Sequence, residues 1–67
     1  MMELNTRRVD VLLAERGMKR KNLAEASGLS KSNLSTVLRR GTCTTSTAGR
    51  IARGLGVSVT EIIREGG

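Results

Sequence analysis

The stretch Arg20–Arg40, RKNLAEASGLSKSNLSTVLRR, decides how this chain folds. It reads as two short helices joined by a tight turn. Leu23, Ala24 and Ala26 are the apolar residues of the first of them, expected over 20–27. Gly28 then supplies a position where left-handed backbone is free of steric cost, so the chain can turn sharply. Ser30 is placed to cap the next helix, its hydroxyl accepting from an otherwise unpaired amide. From Lys31 the apolar residues recur as Leu34, Val37 and Leu38. That i, i+3, i+4 spacing predicts an amphipathic helix over 31–40.

At about 100° per residue, those three residues form the buried stripe of the second helix. The opposite side is centred on Ser32, Thr36 and Arg39, flanked by Asn33, Ser35 and Arg40, with Lys31 at the start. It carries no acid and no large apolar group. Short hydroxyls and an amide can read base edges, and the neighbouring cations can hold phosphates. An ordinary solvated helix face usually mixes Glu with Lys. The pattern leaves both readings open, a solvated face and a nucleic-acid contact.

Composition narrows the partners. The chain has 67 residues and no aromatic side chain, which predicts one small domain over 1–67 with an all-aliphatic core. Such a core seldom supplies more than about 3–5 kcal/mol. Twelve Lys and Arg against six Asp and Glu leave a net charge of +6, pointing to nucleic acid, an anionic membrane or an acidic protein. Membrane is the weakest of these, because no apolar run approaches the ~20 residues needed to span, and no Trp or Phe is present to seat an interfacial helix. The opening MMELNTRRVD lacks the apolar core of a secretory signal, so a cytoplasmic location is the expectation. One cysteine makes no internal disulfide, and without His no Cys/His zinc site can be assembled. No metal, cofactor or small-molecule ligand is expected. Enzymatic activity is not expected either, since nothing pairs a nucleophile with a base.

The residues of the opening stretch resemble the Cro/CI-type phage-repressor helix-turn-helix regulators, also called XRE-like. The resemblance rests on apolar Leu23, the small Ala24 where two helices cross, Gly28 in the turn, and apolar Leu29, Leu34 and Val37. Downstream, IARGLGVSVTEII is similar to the family's fourth and fifth helices, so the likeness runs from about Val9 to Ile63. It implies an all-α, compact five-helix bundle with a helix-turn-helix, a lambda-repressor-like DNA-binding domain. The helices are then expected at about 6–16, 20–27, 31–40, 45–55 and 59–64.

Taken in order, residues 1–4 are expected to be loose, with Leu4 able to close over the core. Asn5 or Thr6 caps the first helix, Val9, Leu12 and Leu13 form its buried stripe, and Gly17 ends it, with Met18 packing inward. Arg7 and Arg8 lie in its first turn, where the helix dipole disfavours cations. They read as two solvated arginines or as partners of a phosphate at that helix end. Family members commonly pair an Arg at the position of Leu13 with a Glu at that of Leu38. Here both are Leu, a joint change that points to one contact with altered chemistry.

Thr44 is placed to cap the fourth helix, whose inner stripe is Ala48, Ile51, Ala52 and Leu55. Gly49 and Gly54 each cost about 0.5–1 kcal/mol in a helix interior, and one or both are read as allowing close packing. Cys43 stands where the family often has Pro, and reads as a small buried thiol or as a redox-active one. Ser58-Val59-Thr60-Glu61 matches a capping box, predicting a last helix from Val59. Its Val59, Ile62 and Ile63 can close the core or join a dimer contact, and residues 64–67 are expected to fray.

The resemblance implies a sequence-specific regulator of transcription that binds double-stranded DNA, typically a repressor from a phage or mobile element, acting as a homodimer on an inverted repeat. Carried over position by position, Lys31, Ser32 and Thr36 match the family's base-contacting places. Asn33 joins them on helix geometry, and Ser35 flanks the same face. Lys19, Arg20, Lys21, Arg39, Arg40, Thr42 and Thr44 are the phosphate candidates, with Arg20 at a family position that contacts phosphate from a helix N-terminus. The alternative is a protein-interaction module of the same fold, such as an antitoxin. RNA reading is disfavoured because single-strand readers rely on stacking aromatics.

Overall fold

The computed structural model describes residues 1–64. Four α-helices occur among them: α1 (Thr6–Arg16), α2 (Arg20–Ser27), α3 (Lys31–Arg40) and α4 (Thr45–Leu55). Three of the four start at the capping side chain the sequence offers, whereas α2 starts after Lys19 without a side-chain cap. Asn5 accepts from the Arg8 amide at 3.0 Å, Ser30 from Asn33 at 3.0 Å, and Thr44 from Thr47 at 3.2 Å. Gly17, Gly28, Gly41 and Gly56 close the four helices in left-handed backbone, where a side chain would be strained.

The aliphatic stripes meet in one core. Val9, Leu12 and Leu13 of α1, Leu23 and Ala24 of α2, and Leu34, Val37 and Leu38 of α3 are buried together. Ala48, Ile51, Ala52 and Leu55 of α4 join it, Leu4, Cys43 and Ile62 complete it, and the partly buried Met18 and Leu29 pack on its edge. Leu13 and Leu38 thus lie in the same apolar cluster. Ala26, by contrast, faces solvent.

The most extensive helix packing is between α2 and α4, and Gly54 permits it. A Cβ built on Gly54 would lie 2.5 Å from Ser27 Oγ, 3.1 Å from Leu23 Cδ1 and 3.3 Å from the Ser27 amide nitrogen. A Cβ on Gly49 would meet nothing within 4 Å. Only one of the two helix-interior glycines therefore serves close approach.

Two expectations about the chain ends are corrected. Residues 1–4 are ordered rather than loose: β1 (Met2–Glu3) pairs antiparallel with β2 (Thr42–Cys43), Met2 opposite Cys43 and Glu3 opposite Thr42. Leu4 is 2% exposed, and its amide donates to the Gly41 carbonyl at 2.8 Å. The all-α, five-helix expectation holds in part: the described chain is mostly helical, with four α-helices and a two-stranded sheet in place of a fifth helix. Val59–Glu61 is a single 3-10 turn, after which Ile63 bridges antiparallel to Leu4.

The physical reason is competition for backbone partners. The Asn5 amide takes the Ile62 carbonyl at 2.8 Å, and the Arg64 amide takes the Glu3 carbonyl at 2.9 Å. Those groups are consequently not free to continue a helix. The expected capping box does not form: Ser58 Oγ caps the turn from the Thr60 amide at 3.4 Å rather than from that of Glu61, and the Glu61 side chain turns to Arg8 at 3.3 Å. Arg64 is therefore held at its amide, and the rest of the segment expected to fray, 65–67, lies outside the described residues.

Candidate nucleic-acid interface

The geometry of α3 is set at its start. Gly28 turns the chain at φ +71°, and the Leu29 amide donates back to the Ala24 carbonyl at 2.9 Å. This closes α2 as a Schellman-type stop. From α4, Arg50 donates to the Gly28 carbonyl at 3.4 Å, so the turn is tied to the helix behind it. Ser30 then opens α3 in extended backbone. With Leu34, Val37 and Leu38 anchored in the core, the rotation of α3 about its axis is determined.

That rotation leaves Lys31, Ser32, Asn33, Ser35, Arg39 and Arg40 exposed and Thr36 half-buried. The Thr36 hydroxyl donates to the Ser32 carbonyl at 3.0 Å. Its proton is thus engaged, which leaves its lone pairs as an acceptor and its methyl for apolar contact. Arg39 and Arg40 occupy the last turn, where cations also suit the helix dipole.

The basic start of α2 carries an ion pair back to α1. Lys19, Arg20 and Lys21 are exposed, and the Lys19 amide donates to Asn22 Oδ1 at 3.0 Å. The Arg20 guanidinium rests on both carboxylate oxygens of Asp10, at 3.2 and 3.3 Å. Both side chains are half exposed, so the pair is worth only about 0–1 kcal/mol and holds Arg20 weakly.

The two threonines of the loop part company. Thr44 Oγ1 accepts from the Thr47 amide and donates to Thr47 Oγ1 at 3.1 Å, so its hydroxyl is committed to capping. Thr42, in β2, is half-buried. It lines an open groove of about 710 Å³ together with Arg39, Arg40, Arg7 and Arg64. Nothing in the sequence marks Arg64 for a role, and Arg7 is open there to solvent or to a phosphate. No local signal links them, because the two come from opposite ends of the chain and meet only through the strand pairing.

Cys43 is buried, and burial pushes its thiol above the ordinary value, opposed by the weaker pull of the charged N-terminus. It therefore stays protonated near neutral pH, the state of an inert packing thiol. No group of three or more potential ligands that could hold a metal ion occurs among the described residues. No helix among them is long and apolar enough to cross a membrane.

Two short helices locked by Gly28, the second presenting an acid-free polar face, define a helix-turn-helix DNA-binding domain. The chain belongs to the Cro/C1-type HTH DNA-binding domain family, which it matches over residues 8–64. Comparison with curated proteins and with solved structures found no match.

Proposed function

We propose that this protein is a sequence-specific transcriptional repressor that binds an inverted-repeat operator as a homodimer. In this reading the whole chain, 1–67, is one domain that covers a half-site, with α3 in the major groove and α2 crossing the backbone above it. The observation that carries it is the exposed side of α3. Lys31, Ser32, Asn33 and Ser35 are open to solvent while Leu34, Val37 and Leu38 are anchored beneath them.

Lys31 suits guanine, Asn33 suits adenine in a bidentate contact, and Ser32, Ser35 and Thr36 complete the reading set. Lys19, Arg20, Lys21, Arg39, Arg40 and Thr42 hold phosphates. Thr44 contributes through its amide environment at the start of α4 rather than through its hydroxyl. Arg20 exchanges the Asp10 carboxylate for a phosphate, a trade between two acceptors of the same guanidinium.

Selection of bound duplexes from a random pool at about 0.15 M salt tests the proposal. A palindromic motif with half-site centres about 34 Å apart is expected. Replacing Asn33 with Ala should relax preference at one base pair, a loss of about 1–3 kcal/mol of discrimination. Arg20→Ala should weaken all sequences alike and lower the salt slope by about one. Recovery of no motif would sink the proposal and favour a protein-interaction role for the same surface.

A further inference from the structure

We propose that the groove between the start of α1 and the end of α3 seats duplex backbone phosphates just beyond the base pairs that α3 reads. Arg7, Arg39, Arg40 and Arg64 line it, against the single carboxylate of Glu3. Among the described residues, none of these four arginines is in a salt bridge, whereas Arg8 and Arg20 are. Four arginines lining one open space, without a salt-bridge partner among the described residues, repel each other, and an anion between them relieves that repulsion.

The fold builds this groove deliberately from distant parts of the chain. Pairing of β1 with β2 sets Glu3 opposite Thr42, and the bond from the Arg64 amide to the Glu3 carbonyl brings Arg64 to the rim. At the α1 end, Asn5 engages the Arg8 amide. The Thr6 and Arg7 amides, in the first turn, have no intrahelical partner to donate to.

The shape and chemistry favour a phosphodiester strand over a free nucleotide. No aromatic side chain exists in the chain to stack a base. One wall, Arg39 and Arg40, is also the end of the exposed face of α3. A backbone strand passing that end runs directly into the groove. This inference rests on the proposed DNA reading by α3, and adds Arg7 and Arg64 to the surface that contacts the duplex.

The test compares two duplexes carrying the selected motif, one ending at the motif and one extended by several flanking base pairs, in anisotropy titrations across a salt series. The wild type should show a salt slope steeper by about one to two on the longer duplex. The double variant Arg7→Ala/Arg64→Ala should lose that extra slope and about tenfold in affinity on the longer duplex, with the selected motif unchanged. Arg53→Ala removes an exposed cation outside the groove and should retain the length-dependent slope. Losses for the double variant no more than twice those of Arg53→Ala, and the same on both duplexes, would overturn the proposal, reducing the groove to net charge.

Titration with inorganic tripolyphosphate, followed by amide shifts of Thr6, Arg7 and Thr42, separates the two sources of phosphate. Saturable shifts there without any duplex-length effect would overturn the backbone assignment in favour of a free polyphosphate. A wild type that selects no motif fails the α3 reading instead. The groove then stands or falls on whether the double variant lowers the slope on one fixed long duplex by more than twice what Arg53→Ala does.

Discussion

At Gly54 the missing side chain outweighs helix propensity. Alanine normally gains about 0.8–1 kcal/mol over glycine in a helix interior. At Gly49 that gain should be realised, because a new methyl group meets nothing within 4 Å. At Gly54 the same change forces a Cβ against Ser27 and Leu23, and overpacking of that kind costs about 1–3 kcal/mol. Urea unfolding should therefore show Gly49→Ala stabilised and Gly54→Ala destabilised. Ser27 Oγ is buried without a hydrogen-bond partner, so Ser27→Ala should stabilise by removing an unsatisfied polar atom. Because that atom is also the closest obstacle, Gly54→Ala should cost less in the Ser27→Ala background. Additive effects in that cycle would contradict the packing account. Cys43 offers a pH test with a defined sign. A thiol whose pKa is raised by folding stabilises the fold below its unfolded value and loses that contribution as pH rises through the folded value. Stability should decline above about pH 8.5, and Cys43→Ala should remove that part of the decline.

At the scale of elements, caps and stripes account for the helices, and backbone competition accounts for the ends. The Ser30 cap governs the entry of α3, so Ser30→Ala should cost about 1 kcal/mol and weaken DNA binding through loss of preorganisation. The residue that follows β1, Leu4, is a structural part of the core. Leu4 is nearly inaccessible to solvent, and Leu4→Ala should destabilise by about 2–5 kcal/mol in thermal or urea unfolding. A change smaller than the scatter of surface substitutions would mean that the β1–β2 ribbon is dispensable. The same ribbon brings Arg64 to the groove, so its loss should also remove the length-dependent salt slope. Fold and candidate interface are coupled through four residues at the start of the chain.

For the whole molecule, size and charge set the terms. An all-aliphatic core in a chain of 67 residues leaves a small margin of stability. Any ligand that binds only the folded state should then raise the melting temperature visibly, and an operator duplex should do so more than a scrambled one. The net charge of +6 should make every duplex affinity fall with salt. Sequence preference should instead follow the side chains of α3. Sedimentation on a duplex bearing two half-sites should show two copies bound, whereas one copy at saturation would remove the homodimer from the proposal.

The four α-helices, the Asn5, Ser30 and Thr44 caps and the buried stripes were legible in the sequence because they depend on neighbours three or four residues away. A glycine that terminates a helix, a hydroxyl that starts one and an aliphatic period all act locally. The exposed face of α3 was legible for the same reason, since the stripe beneath it decides which side remains outside. The β1–β2 ribbon, the 3-10 turn at Val59–Glu61, the attachment of Arg20 to Asp10 and the arginine groove were decided only by the tertiary structure. Each arises from groups distant in sequence that compete for the same hydrogen bond or charge, and only the folded chain settles which of them meet.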